Sequence, residues 1–246
     1  KPAIIRVSDL PKSLADQRDI HLVRNYADKH GISFDEAAQI IFVRAKKKNN
    51  PHSFRNFYQD TSNLSTYTFS SADLGTPASN RYIIVGAIGV GGSASAISSV
   101  TVGGVSAALV IAGTLQFASP IELWIASVPT GATGNIVVVF NSSESACGIG
   151  VWAAYLASPT AIDTGSGTTT FNDTLTSAAG GFAVAISMLN SAAGSTWTNI
   201  TENYDNVVET SSQMSGASIT TTGTSINVQR TPTASFNNAT IAATFA

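Results

Sequence analysis

The residues best suited to acid–base or metal chemistry lie at one end of the sequence. All three histidines, His21, His30 and His52, precede a long remainder that contains none. A Ser–His–acid triad, a Cys–His pair and a zinc site with histidine ligands each need an imidazole in the domain that carries them. The remainder of the chain is therefore predicted to hold no site of these three kinds.

Carboxylates are the second group that can do chemistry, and the segment TENYDNVVE, residues 201–209, is their one local cluster in the remainder. A glycosidase needs two facing carboxylates about 5–10 Å apart across a cleft. Acids beside aromatic rings also suit a sugar or a Ca²⁺ ion, whereas an acidic loop that serves only solubility is the simpler alternative. The carbohydrate-binding hypothesis rests on Trp197, Glu202, Tyr204 and Asp205.

Two further motifs carry no chemistry in this interpretation. Cys147 is the single cysteine and sits among small and apolar neighbours, so it is predicted to be a core residue. The glycine-rich stretch GVGGSA, residues 89–94, is followed by β-prone sequence rather than by the helix N-terminus that a phosphate site requires. No catalytic residue, metal or cofactor is expected, and the chain is not expected to be an enzyme.

Cations gather in IFVRAKKKNNPHSFRNF, residues 41–57. They suit a helix C-terminus, where the helix dipole is negative, and they also suit an acidic protein partner. A third hypothesis is DNA binding, because the helix–HGIS–helix pattern before them resembles the helix pair of ribbon-helix-helix repressors, although the strand candidate at residues 3–9 holds a single arginine. Protein binding is preferred, and nucleic acid is the weaker alternative. The predicted partner-binding residues are Arg44, Lys46, Lys47, Lys48 and Arg55.

The spacing of apolar residues, which predicts the helices and strands that position these side chains, changes along the chain. Residues 13–31 have the apolar spacing of a helix, and the capping box SFDE at residues 33–36 begins a second helix that runs to about Lys48. The periodicity then disappears, and Pro51 opposes helix continuation. The predicted organisation is a helical, basic N-terminal lobe at 1–48, a linker at 49–61 and a β domain at 62–246.

The β domain reads as short strands separated by Gly, Ser and Asn turns. Thirteen strand candidates, with a period of two and no helical window between them, predict an antiparallel two-sheet β-sandwich, jelly-roll-like or immunoglobulin-like. The apolar runs at 82–85 and 136–140 are expected to be central strands. The segments RYIIVGAIG and GGFAVAISM play similar parts, but their likeness is too weak to define a repeat.

Charge divides the chain. Residues 1–58 hold 11 Lys+Arg and 6 Asp+Glu, a net charge of +5, whereas residues 59–246 hold 2 and 9, a net charge of −7. A surface with so few charges is poorly protected against self-association, so a homo-oligomer or a covered surface is expected. No run of about 18 apolar residues predicts a membrane span, and no secretory signal is visible at the start of the sequence given.

The β region resembles a group of uncharacterised structural proteins of tailed bacteriophages and prophages. The likeness covers about residues 66–246 and lies in the order of many segments, among them FSSADLGTPASNRYIIVGAIG, ISSVTVGGVSAALV, ELWIASVPTGATGNIVVVF and WTNITENYD. The segment VTVGGVSA is also similar to a hairpin of immunoglobulin-like modules.

The resemblance implies a virion protein of the capsid decoration, head-fibre or tail-associated type, with no catalytic residues to transfer. Its partners would be other virion proteins, the major capsid or a tail protein, and further copies of itself. An adhesive module outside the cell that binds a host-surface glycan is the alternative, and no membrane partner is expected.

Overall fold

The structure is a computed structural model. It describes residues 17–34, 36–37, 51–91, 96–114, 119–233 and 237–246. The chain divides into two compact units, Lys1–Asn50 and Pro51–Ala246. Among the described residues, no helix is long and apolar enough to cross a membrane.

The N-terminal unit contains helix α1, Gln17–His30, which ends before Gly31 at a φ of 62°. The predicted capping box is formed, since the Ser33 amide donates to Glu36 at 3.1 Å and the Glu36 amide donates to the Ser33 hydroxyl at 3.2 Å. Val23 and Ala27 of α1 are buried together with Ala37. Most of the predicted second helix and the strand candidate at 3–9 lie outside the described residues.

The second unit is mainly β, as predicted, and all of its strand pairs are antiparallel. Its first nine strands are β1 His52–Asp60, β2 Leu64–Asp73, β3 Arg81–Val90, β4 Ile97–Val102, β5 Val105–Ser106, β6 Ala108–Thr114, β7 Pro120–Ser127, β8 Thr133–Glu144 and β9 Ala146–Tyr155. The remaining strands are β10 Asp163–Thr168, β11 Phe171–Thr176, β12 Phe182–Leu189, β13 Ser195–Thr198, β14 Thr201–Glu209, β15 Ser212–Thr220, β16 Ser225–Pro232 and β17 Asn238–Phe245.

These strands form two consecutive sandwiches with the same topology. The first has an inner sheet of order β1-β9-β3-β7-β6 and an outer sheet of order β2-β8-β4-β5, and the second has an inner sheet of order β10-β17-β12-β15-β14 and an outer sheet of order β11-β16-β13. In each half the first strand pairs with the last, the second with the next to last, and the third with the third from last. This nested pairing is the jelly-roll arrangement. Among the strands in the described ranges, only the short strand β5 has no counterpart in the second half.

The predicted sandwich is therefore double. The similar segments RYIIVGAIG and GGFAVAISM, whose likeness is too weak to define a repeat from sequence, lie in β3 and β12, which occupy the same place in the two halves. The central positions predicted for residues 82–85 and 136–140 are confirmed, since they lie in β3 and β8, each with a strand on both sides.

The two sandwiches stack with their inner sheets face to face. One apolar core, which includes Ile84, Ile186 and Tyr204, fills the space between the inner sheets. A second core lies between the sheets of the first sandwich, and a third, around Phe171 and Val228, lies between the sheets of the second. The result is a stack of four sheets in the order outer, inner, inner, outer.

The stacking relates the two halves by an approximate twofold axis. Strand β6 lies against β17 and β10, and its counterpart β14 lies against β9 and β1. This exchange of roles is what a twofold relation between two similar bodies requires. The interface therefore has two equivalent sides, one formed by β1 and β14 and the other by β10 and β6.

The predicted linker at 49–61 is largely wrong, because residues 52–60 form strand β1 at the edge of the first inner sheet. A register shift between Phe54 and Asn56 places a bulge at Arg55. The bulge offsets the alternation by one residue, so that Phe54 and Phe57 both pack against the core between the inner sheets. A strand interrupted in this way shows no regular period of two in its sequence.

Candidate functional site

The predicted glycan-binding residues lie on β13 and β14 of the second sandwich. The acidic segment 201–209 is a strand rather than a loop, and it forms the edge of the second inner sheet. Its register shifts between Glu202 and Tyr204, which leaves Asn203 as a bulge. Asn203 Oδ1 accepts hydrogen bonds from Trp152 Nε1 at 2.9 Å and from the Ser218 hydroxyl at 2.8 Å. The bulge is thus tied to both inner sheets.

Tyr204 lies in the core, so the expectation that it binds a sugar is wrong. Its ring centroid is 4.9 Å from that of Phe57, 5.4 Å from Phe54 and 5.9 Å from Trp152. Burial raises the pKa of its hydroxyl well above the usual value. These four rings, the aromatic cluster, fill the β1/β14 side of the interface between the two inner sheets.

Trp197 is half-buried on the opposite side of the second inner sheet. Its indole Nε1 donates to Ser215 Oγ at 2.6 Å, and its ring packs on the core between the second inner and outer sheets. Tyr204 faces the other core, so the inner sheet separates the two rings. The structure therefore does not bring Trp197 and Tyr204 onto one surface.

The two acids of the predicted site differ in their surroundings. Glu202 is exposed, and partial burial together with the charge of Asp205 raises its pKa. Asp205 is half-buried, and its Oδ2 accepts the Ser195 amide at 3.1 Å. Desolvation raises the pKa of Asp205, against the lowering effect of the Ser195 hydrogen bond and the charge of Arg230.

Arg230 is the residue of this region that the sequence prediction missed. It is fully buried between the second inner and outer sheets, where Nε and Nη2 donate to Ser195 Oγ at 3.0 and 2.9 Å and Nη1 donates to Asn238 Oδ1 at 2.8 Å. Desolvation lowers its pKa to about 10, so it stays protonated at neutral pH. The alternation of Ile226, Val228 and Arg230 was the available signal, because residues two apart share one face of a strand.

The polar residues around Arg230 do not converge on one ligand. Thr240, Ser187, Ser215 and Asp205 are paired in register across four adjacent strands. Thr240 Oγ1 and Asp205 Oδ1, which have no hydrogen-bond partner among the described residues, are therefore separated by three strand spacings, about 14 Å. The arrangement joins the two sheets of the second sandwich and does not form a pocket for an ion.

The predicted cationic site is described only at Arg55, since Arg44, Lys46, Lys47 and Lys48 lie outside the described residues. Arg55 Nη2 contacts Asp73 Oδ2 at 2.5 Å, and this hydrogen bond lowers the pKa of Asp73. The charge of Arg55 is thus offset within the second unit, Pro51–Ala246, which we call the β unit.

Other ionisable groups of the β unit are withdrawn from solvent. Cys147 is buried, as its neighbours indicated, and burial raises the pKa of its thiol. Glu122 is buried and accepts a hydrogen bond from Trp124 Nε1 at 2.8 Å. Within the described ranges, no group of three or more His, Cys, Asp and Glu side chains is placed to hold a metal ion.

The surface of the β unit carries few well-exposed charges. Of the twelve charged side chains in Pro51–Ala246, all of them in described positions, only Glu202 is well exposed, and the others are buried or half-buried. The outward face of the second outer sheet is built from hydroxyl and amide groups. There Asn227 Nδ2 donates to Asn172 Oδ1 at 2.8 Å, and Gln229 Nε2 donates to the same oxygen at 3.2 Å. This face is polar and ordered.

Comparison with known proteins adds little to this geometry. No family model matches the chain, and no curated protein is similar to it. Among solved structures, the chain is similar to the crystal structure of PBSX exported protein XepA, with 9% sequence identity and a TM-score of 0.20, over 80% of this chain and 87% of that chain. A likeness with this TM-score supports no argument about fold or function.

Proposed function

We propose that the chain is a structural protein of a tailed bacteriophage particle, of the capsid decoration, head-fibre or tail-associated type. The N-terminal lobe attaches it to the particle, and the double jelly-roll is displayed or packs against other copies. The observation that carries the proposal is the sparsely charged surface of the β unit, on which Glu202 is the one well-exposed charged residue. Such a surface suits permanent packing in an assembly better than a freely diffusing monomer.

The division of charge supports attachment through the N-terminal lobe. Residues 1–58 carry a net charge of +5, and the rest of the chain carries −7. Inside the β unit, Arg55 is paired with Asp73, and Arg81 and Arg230 are fully buried. The cations available to an acidic partner are therefore those of the N-terminal lobe, where Lys46, Lys47 and Lys48 are consecutive.

The interior of the β unit also suits a structural role. Arg81 donates four hydrogen bonds to main-chain carbonyls, those of Gly75, Val128, Thr130 and Gly131. Arg230 joins the two sheets of the second sandwich. Both guanidinium groups hold the fold together and are turned away from any ligand outside.

The test begins with particles produced by cells that encode the chain. Mass spectrometry of the purified particles, with gold-labelled antibody, is expected to find the chain on the head or tail. Particles that lack the chain, mixed with the purified full-length protein, are expected to bind it. Replacing Lys46, Lys47 and Lys48 with Gln is expected to abolish this binding and leave the circular dichroism spectrum unchanged. Absence of the chain from particles overturns the proposal.

A second candidate function is binding of a neutral glycan. The outward face of the second outer sheet favours it, because ordered hydroxyl and amide groups such as Asn172, Asn227 and Gln229 can hydrogen-bond to sugar hydroxyls without attracting charged polymers. A glycan array separates the candidates: retention on neutral glycans that is lost on replacing Asn227 with Ala supports this second function. No retention on any glycan rejects it.

A further inference from the structure

The two equivalent sides of the interface between the sandwiches are filled differently. On the β1/β14 side, Phe54, Phe57 and Tyr204 pack together. On the β10/β6 side, β10 has the sequence DTGSGT, which contains no aromatic or large aliphatic residue. Strand β6 is covered by β17 along part of its length, but the small residues of β10 leave the rest uncovered, so this side remains partly open.

The opening is a groove of about 400 Å³ whose side chains are mainly apolar, with threonine and main-chain atoms adding a similar amount of polar surface. It is lined by Leu109 and Val110 of β6, Ile125 of β7, and Pro159, Ala161 and Thr164 in and before β10. Leu109 is 50% exposed at the rim of the groove, and Ile162, beside the groove, is 39% exposed. A large aliphatic side chain left in water beside an apolar groove marks an interaction surface.

The strand that borders the groove is unprotected. Strand β6 is the edge of the first inner sheet, and its sequence ALVIAGT has no charge and no proline. Natural edge strands usually carry such residues to prevent pairing with other chains. Asp163 of β10 is the nearest charge in sequence, and its carboxylate accepts hydrogen bonds from the Thr164 and Thr176 amides at 2.9 and 2.8 Å, which reduces its repulsion of a second copy.

We propose that this surface joins two copies of the chain, with Leu109 of each copy inserted into the groove of the other. A twofold contact requires one surface to carry both the projecting group and the cavity that receives it, and here they are adjacent. No residue that lines the groove is charged, which favours an uncharged partner surface, and the same face of a second copy is uncharged in its lining. This is the surface through which the self-association of the proposed function takes place, and the proposal rests on the proposed function in this one respect.

The test is the mass of the full-length chain in solution, measured by sedimentation equilibrium over a range of concentrations. The unmodified chain is expected to form a dimer. Leu109→Glu is expected to raise the dimer dissociation constant at least about tenfold, because a carboxylate enters an apolar groove. The matched control is Leu64→Glu, which changes a leucine that is 41% exposed on the first outer sheet and is expected to leave the constant unchanged.

A charge exchange tests the geometry of the contact. Thr164→Lys alone is expected to weaken the dimer, whereas a mixture of Leu109→Glu and Thr164→Lys chains is expected to restore it, because each mixed pair joins the new carboxylate to the new ammonium. Circular dichroism confirms that each variant is folded. Failure of the mixture to associate overturns the proposed geometry.

Two other results overturn the proposal outright. One is a monomer at every concentration. If the groove of that monomer binds a small apolar dye, and Leu109→Glu abolishes the binding, the groove is a site for a different molecule. The other is a dimer that Leu109→Glu does not weaken. Both are independent of particle binding, so failure here is distinguishable from failure of the proposed function.

Discussion

Phe57 of β1 and Tyr204 of β14 lie with their ring centroids 4.9 Å apart, and this contact joins the first sandwich to the second. Tyr204 is the residue that the sequence suggested for binding a sugar. In the structure its ring is enclosed, and Gly150 and Gly216 provide the space that it occupies. The pair thus fastens one side of an interface whose equivalent side is partly open.

Truncation of Tyr204 tests this fastening. Tyr204→Ala is expected to lower the free energy of unfolding by about 3–5 kcal/mol, because it leaves a cavity between the inner sheets. Tyr204→Phe is expected to leave it unchanged or to raise it by about 1 kcal/mol, because the buried hydroxyl has no hydrogen-bond partner among the described residues. Urea denaturation measures both. Equal losses in the two variants would contradict this assignment.

Gly150 provides a second test of the same packing. A Cβ at this position would collide with the hydroxyl and ring of Tyr204, so Gly150→Ala is expected to cost about 1–3 kcal/mol. The matched control is Gly223→Ala, where the nearest atom, the Ser225 carbonyl oxygen, would be 3.9 Å from the new Cβ. A cost for Gly150→Ala that persists in full in the Tyr204→Ala background would show that Tyr204 is not the obstacle.

His52 predicts a pH dependence of stability. Its ring is buried and stacks on Phe182 at 4.6 Å, and desolvation lowers its pKa from 6.5 to about 4. Between these values the unfolded chain binds a proton that the folded chain excludes. The stabilising contribution is therefore complete above pH 6.5 and is lost as the pH falls toward 4, by up to about 3 kcal/mol.

The measurement is the urea midpoint between pH 7 and pH 4.5 for the unmodified chain and for His52→Phe, which keeps an aromatic ring without the titrating group. The decline with falling pH is expected to be shallower in the variant. Two parallel profiles would rule out His52 as the cause.

Arg81 and Arg55 form a contrasting pair. Arg81 is fully buried, and Arg81→Lys is expected to cost about 3 kcal/mol, because an ammonium group cannot reach all four carbonyls that the guanidinium binds. Arg55 is half-exposed in its pair with Asp73, so Arg55→Lys is expected to cost at most about 1 kcal/mol. Thermal unfolding measures both, and the reverse order of costs would refute the prediction.

The sequence predicted correctly those features of the structure that depend on residues close together in the chain. The period of two between β2 and β17 predicted a mainly antiparallel β unit, and the capping box of Ser33 and Glu36 formed as expected. Burial of Cys147 followed from its apolar surroundings. The strand β1 was missed because the bulge at Arg55 interrupts its alternation.

The sequence by itself determined the strand content, the low proportion of charged residues in the β unit and the concentration of cations before residue 59. Only the tertiary structure decided that the strands form two jelly-rolls, because β1 pairs with β9 and β10 with β17 across long stretches of chain. It also decided that Tyr204 is enclosed while Leu109 is exposed. Which face of a strand is covered depends on the sheet stacked against it, and no local pattern specifies that sheet.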